Sequence, residues 1–248
     1  MKNALFLPRS YRSYCDNKRF VSFTVKNKES DLFILAKRDL TSQAQWILSE
    51  LRNVIESYIQ MDLEFLTSLR PIPVLENAPE IIKEMAESSA KMNVGPMASV
   101  AGAISENVAR YLCHFSDEVI VENGGDDFII NKKPVTIALY AGDSPFSMKI
   151  GIELMPNPDG ISVCTSSGTV GHSLSFGNAD AVTIIAKSGS LADAAATAIC
   201  NMIKSKEDIQ NALEFTQKIP EILGIVIIFG EEIGAMGEII RFKHLAIQ

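Results

Sequence analysis

Between Leu191 and Ala198 the chain reads LADAAATA, strong helix formers with almost no side-chain bulk. Something can therefore approach a helix of this composition closely. An apolar, β-like run precedes it, ADAVTIIA at 179–186. After it, Ile209, Leu213 and Phe215 mark a further helix within 207–217, and the runs 224–229 and 238–245 close the chain as strands. With a strand expected at 148–154 ahead of these, the second half reads strand, strand, helix, helix, strand, strand.

The first half follows a comparable order. Residues 20–25 alternate apolar and polar side chains and 31–36 form a short apolar run after the polar turn KNKES, the pattern of a hairpin. Ala44, Ile47, Leu48, Leu51, Val54, Ile55, Tyr58 and Ile59 then recur at helical spacing, with Thr41 or Ser42 as cap and Arg70-Pro-Ile-Pro as terminator. Asn77-Ala-Pro-Glu caps a second helix that places Ile81, Ile82, Met85 and Ser89 on one face. A third opens on small residues, Gly95, Ala98, Ser99, Ala101, Gly102 and Ala103, and carries Ile104, Val108 and Leu112 inward; Gly102 reads as a close helix-packing position. Strands are expected at 118–121, 135–140 and 148–154. No regular βαβα alternation is visible, so an α+β chain fits better than a doubly wound parallel sheet.

Composition narrows the function classes. With 47% hydrophobic residues, the 248-residue chain has ample material for a sizeable core. Its net charge of −7, and basic residues scattered without an aromatic-interleaved stripe, argue against nucleic acid as a partner. No apolar run has the length of a membrane span or a signal peptide, so the expected location is the cytoplasm, away from membranes. Cys15, Cys113, Cys164 and Cys200 form no C-x-x-C pair and read as incidental or buried thiols. Whether the chain is a monomer or a homo-oligomer is open.

Several short motifs point to chemistry. Asp193 and Thr197 are four apart, so a carboxylate and a hydroxyl stack on one helix face near its start, oxygen ligands that suit Mg²⁺ beside a phosphate. The other reading is a capping box from Ser190 to Asp193, with Thr197 bonded back to its own helix. Asn123-Gly124-Gly125-Asp126 is a hairpin turn by composition, and its bare glycines would also let a planar ring or phosphate reach the backbone. Thr165-Ser166-Ser167-Gly168 is a polar turn followed by His172, either a core histidine or a site residue. His114 and His244 match no motif.

Taken together, these pieces resemble the C-terminal signature of the ApbE superfamily of flavin transferases: a Thr-Ser-Gly turn, a histidine, a Val-Thr-Val strand and an Ala-Asp-Ala-x-x-Thr helix. VGPMASVAGAI from Val94, VENGGDD from Val121 and TSSGTVGHSLSFGNADA from Thr165 are similar to an uncharacterised ApbE-like branch, over roughly residues 11–240. The resemblance implies one ApbE-like domain over 1–248 made of two T-fold units of ββααββ type, with approximate halves 11–158 and 159–248. It implies FAD or FMN as cofactor with Mg²⁺, a protein acceptor for FMN, and metal ligands Asp193, Thr197 and the Ala98 carbonyl. Gly95, Asn123, Gly124, Gly125, Asp126, Thr165, Ser166, Ser167 and Gly168 would border the flavin nucleotide, and His172 would be catalytic. Two departures bear on activity. Ser99-Val100 stands where transferases carry Lys-Gly, and SLSFGNAD replaces an Asp-Pro-x-Thr-Gly turn. The expectation is binding of a flavin or related diphosphate nucleotide with poor general FMN transfer; the alternatives are a non-catalytic binder and a subunit of a cytoplasmic metabolic complex.

Overall fold

The computed structural model of the chain describes residues 19–170 and 175–245, organised on an eight-stranded antiparallel sheet. Strands β1 (Val21–Asn27) and β2 (Ser30–Ala36) form the expected hairpin. Helices α1 (Thr41–Met61), α2 (Glu64–Thr67) and α3 (Glu80–Met92) follow, then a 3₁₀ turn (Pro96–Ser99) and α4 (Val100–Leu112). Strands β3 (Val119–Glu122) and β4 (Asp126–Asn131) complete a first ββααββ unit elaborated by extra helical turns. Strands β5 (Val135–Ala138) and β6 (Ile150–Leu154) branch away from it. The second unit is β7 (Asn157–Ser166), β8 (Ala181–Ala186), α5 (Gly189–Met202), α6 (Asp208–Thr216), β9 (Ile222–Phe229) and β10 (Glu232–Met236). The sheet runs β1-β2-β3-β4-β7-β8-β9-β10, so the two units join through the β4–β7 pair.

Strand β11 (Phe242–His244) pairs with β6, and β11-β6-β5 make a second sheet. Alternation along the strands sorts side chains between the layers. Val121, Phe128 and Ile130 meet the helices of the first unit, while Cys164, Val182, Ile184 and Ile227 meet α5. Ile120, Ile129, Val163, Ile185 and Val226 point the other way and pack with Ile152 and Leu154 of the small sheet. Being covered on both faces, β8 is buried at all six positions, which explains its unbroken apolar sequence.

Element boundaries differ from those the sequence pattern predicts where single side chains or glycines decide them. Helix α1 ends at Met61, well before Arg70-Pro-Ile-Pro, because Asp62 is extended and its side chain bonds the Glu64 N–H at the start of α2. At its N-terminus neither Thr41 nor Ser42 is the cap; Asp39 Oδ1 accepts from the Thr41 N–H at 2.8 Å. Pro79 is the residue before α3, and no side chain from Asn77 caps it. Helix α4 starts at Val100 after the 3₁₀ turn. The second closing strand is β10, with β11 moved into the other sheet; Gly230 and Gly237, both at positive φ, frame β10 and allow the tight reversals. Ser188, not Ser190, caps α5, accepting from the Leu191 N–H at 3.3 Å.

One buried ion cluster makes acid stability predictable. Glu118 is 2% exposed, pairs with Arg19 and Lys37, and accepts from the Lys132 N–H at 2.8 Å. Burial alone would raise its pKa, but the bonds from Lys37, the Lys132 amide and Arg19 outweigh it and hold the group at about 2, against 4.5 ordinarily. A depressed carboxyl contributes stability that is complete above the unfolded pKa and is lost as pH falls from about 4.5 through 2. That contribution is on the order of 2–3 kcal/mol. In urea melts, Glu118→Gln should be less stable than wild type at pH 7, and the gap should close between pH 4.5 and 2. A constant gap across that window would show that Glu118 does not carry the linkage.

Candidate functional site

Helix α5 is buried on nearly every side, packed against the sheet, α3, α4 and the 3₁₀ turn. From Gly189 to Cys200 only Asp193 and Thr197 are partly accessible, and their spacing puts both on one face. Alanines elsewhere let the neighbouring backbones close in. Ala98, also partly accessible, packs against the α5 core from the 3₁₀ turn. Carboxylate, hydroxyl and a small residue with a backbone carbonyl are thus drawn from two adjoining elements.

Asp193 does not cap its own helix. Its Oδ2 accepts from the Gly102 N–H at 2.9 Å, and the Ala101 N–H also bonds the carboxylate, so it closes the start of α4. This removes the capping-box reading. The α4 and α5 backbones touch there: a Cβ on Gly102 would lie 2.1 Å from the Gly189 carbonyl oxygen, and one on Gly189 would lie 2.3 Å from the Gly102 carbonyl oxygen. Gly102 is the helix-packing residue its sequence context implied.

The Asn-Gly-Gly-Asp turn meets the same place from the sheet. Gly124 and Gly125 both have positive φ, 74° and 106°, and the Asn123 N–H donates to the Asp126 carbonyl at 3.1 Å, the two-residue hairpin that composition indicated. Glu122 Oε1 accepts from the Gly124 and Gly125 amides at 2.7 and 3.1 Å, so the turn offers a ligand bare backbone surface but no free amides at these two positions. Asn123 Nδ2 donates to the Ala101 carbonyl at 3.2 Å, tying the turn to α4. The Thr165 N–H donates to the Gly125 carbonyl at 3.1 Å, and Asp126 lies across from Cys164 in register. The first and second polar motifs are therefore neighbours, although forty residues separate them.

Within the second motif the hydroxyls differ. Thr165 Oγ1 bonds Thr183 Oγ1 at 2.9 Å, and Ser167 Oγ accepts from the Thr169 and Val170 amides at 3.1 and 2.9 Å. Ser166 is buried, makes no full hydrogen bond and lies beside the Cys200 thiol. Gly168 is needed for close packing, since a Cβ there would lie 2.0 Å from the Gly177 carbonyl oxygen. Gly95 is equally enclosed, 1.8 Å from the Ser68 carbonyl oxygen to its would-be Cβ. His172 falls outside the described residues.

Electrostatically the junction is unbalanced. Burial, then the charge of Asp193, pushes the Asp126 carboxyl well above its usual range, against a bond from the Cys164 thiol. Burial also raises Asp193, against the pull of the Gly102 and Ala101 amides. Although Asp193 has some accessible surface as a residue, its carboxyl is enclosed by protein. Burial, followed by Asp126 and Asp193, raises the Cys164 thiol, so it is no thiolate nucleophile. Among the described residues no lysine or arginine pairs with either aspartate. No group of three or more His, Cys, Asp or Glu side chains gathers to hold a metal among those residues either. A cation here would draw on hydroxyl, carbonyl and ligand oxygens besides the carboxyl groups. An open groove of about 610 Å³ lies elsewhere, between α6 and β10, lined by Gln210, Leu213, Lys218 and Met236 among others.

Two residues at this junction were not singled out from sequence, Glu106 and Gly189. Glu106 Oε2 accepts from the Gly189 N–H at 2.6 Å, the counterpart of the Gly102–Asp193 bond. The available signal was a shared spacing, glycine four residues ahead of an acid, at 102–106 and 189–193.

The duplicated ββααββ sheet is of the ApbE-like fold class. The flavinyl transferase ApbE of Pseudomonas stutzeri superposes with TM-score 0.55 over 88% of this chain and 94% of that one, at 13% identity. The ApbE protein of Thermotoga maritima does so with TM-score 0.56 over 88% and 97%, at 15% identity. At these identities the likeness is one of fold. The model of the family described as AbpE bacteria matches residues 12–233, and the chain belongs to that family. A UPF0280 protein of Methanocaldococcus jannaschii is 46% identical over 202 residues, covering 79% of this chain and 82% of that protein. A UPF0280 protein of Methanococcus vannielii is 45% identical over 213 residues, covering 84% and 83%. No helix among the described residues is long and apolar enough to cross a membrane.

Proposed function

We propose that this chain binds a flavin dinucleotide, or a related diphosphate nucleotide, with Mg²⁺ at the junction of its two units, and that it works in the cytoplasm. The observation that carries this reading is the buried pair Asp126 and Asp193, two mutually repelling carboxyl groups with no basic partner among the described residues. Burying such a pair is costly unless a positive charge compensates it. A divalent cation fits that deficit. Asp193, the Thr197 hydroxyl and the Ala98 carbonyl would hold it, Asp126 would add negative charge beside it, and the cation would neutralise and polarise the diphosphate. Gly95, the bare face of Gly124 and Gly125, Asn123 and the turn from Thr165 to Gly168 would border the nucleotide, with His172 as the candidate acid–base group.

Two solved ApbE-fold relatives are named as flavin or flavinyl transferases. For this chain, transfer of FMN to ordinary protein acceptors should be poor. Ser99 takes the place of the resembling family's lysine, and its hydroxyl is buried and spent on the Pro96 and Met85 carbonyls at 2.7 and 3.2 Å. It supplies neither a cation nor a free donor to an acceptor or a phosphate. The test is an assay for covalent FMN on a threonine-bearing acceptor peptide with FAD and Mg²⁺, run beside an absorbance and mass spectrum of any small molecule released from freshly purified protein. A bound flavin nucleotide with little or no transfer is expected. Rapid labelling of the peptide would contradict the second half of the proposal, and a released ligand without a diphosphate would contradict the first.

A further inference from the structure

The contact between α4 and α5 is reciprocal. Gly102 and Glu106 are four apart on α4, as Gly189 and Asp193 are on α5, and each acid accepts the backbone N–H of the other helix's glycine. The bond lengths are 2.9 Å for Gly102 to Asp193 and 2.6 Å for Gly189 to Glu106. Arg110, one turn beyond Glu106, holds that carboxylate through Nε at 2.8 Å, and only 13% of the Glu106 side chain is accessible. A single bond between two helices leaves each free to swing about it; a second bond in the opposite sense removes that freedom.

We infer that Glu106 is a positioning residue for the cation site, an inference that rests on the function proposed above. It need touch neither cation nor nucleotide. By holding the first residue of α5, it fixes the direction from which the Asp193 carboxylate and the Thr197 hydroxyl face the cation. With that bond gone the one that remains is at Asp193; Thr197 lies four residues beyond it, roughly 6 Å along the helix, so a swing of about 20° about Asp193 would move it by about 2 Å. That displacement is as long as a Mg²⁺–oxygen bond, about 2.0 to 2.1 Å, and is enough to lose a ligand.

The experiment compares wild type, Glu106→Ala and Glu106→Gln, with Ile55→Val in the distant α1 as a mildly destabilised control. Two readouts are taken: Mn²⁺ binding by its paramagnetic resonance signal, and the Asp193 carboxyl carbon resonance of metal-free, isotope-labelled protein. Glu106→Ala should weaken Mn²⁺ binding about tenfold and shift the Asp193 carbon. Glu106→Gln, whose amide oxygen still accepts from Gly189, should restore both, and Ile55→Val should move neither. An unshifted Asp193 carbon in Glu106→Ala overturns the inference, as does a weakened Mn²⁺ affinity that Ile55→Val reproduces. If wild type takes up no Mn²⁺, the cation reading falls, and the carbon resonance alone still decides whether Glu106 positions Asp193.

Discussion

Gly102→Ala should unfold at a temperature roughly 6 to 12 °C below wild type, a loss of about 3 kcal/mol or more. Helix propensity argues the other way, because alanine in a helix is favoured over glycine by up to about 1 kcal/mol. Packing outweighs it. The new Cβ would lie 2.1 Å from the Gly189 carbonyl oxygen and 2.8 Å from the Asp193 Cβ, and the first of these is backbone that moves only with the whole of α5. The helices must separate, which also breaks the bond from the Gly102 amide to Asp193. Thermal melts of the variant decide the matter, and an unchanged or raised Tm would show that the close approach of α4 and α5 contributes little to stability.

Asp193→Ala should weaken Mg²⁺-dependent FAD binding at least tenfold, corresponding to about 1.5 to 3 kcal/mol for a lost charge-assisted contact. The substitution also leaves the Gly102 amide without its acceptor, so the ligand-free protein should be less stable. Asp193→Asn separates the two effects. Its amide oxygen can keep the bond from Gly102 while the repulsion with Asp126 disappears, so ligand-free stability should match or exceed wild type while cation-dependent binding stays low. Calorimetric titrations and melts of both variants provide the check. Equal FAD affinity in wild type and Asp193→Ala would remove this carboxylate from the site.

The sequence was legible where periodicity and burial agree. The hairpin of β1 and β2, the apolar face of α3 and the buried strand β8 follow from side-chain pattern, because each has its faces sorted by a single layer boundary or by complete burial. Boundaries set by one side chain, such as Asp39 before α1 or Ser188 before α5, were displaced by one or two residues, since several nearby polar groups compete for the same amides. The split of the C-terminal run into β10 and β11 was hidden because Gly237 redirects the chain to another sheet through a conformation that no apolar pattern reports. For the site, spacing placed Asp193 and Thr197 on one helix face, and the structure leaves both partly accessible there. What spacing could not reveal is the role of a neighbouring helix. Asp193 and Glu106 each bond an amide eighty or more residues away, and such pairings depend on how α4 and α5 cross.

The most direct test of cation-dependent nucleotide binding is a crystal structure of the full chain grown with FAD and Mg²⁺, repeated with Ca²⁺ for contrast. One cation is expected, with the Asp193 carboxylate, the Thr197 hydroxyl and the Ala98 carbonyl at about 2.0 to 2.6 Å and diphosphate oxygens completing its shell. A nucleotide bound elsewhere, or a junction in which Asp126 and Asp193 remain without a cation while FAD is present, would contradict that expectation.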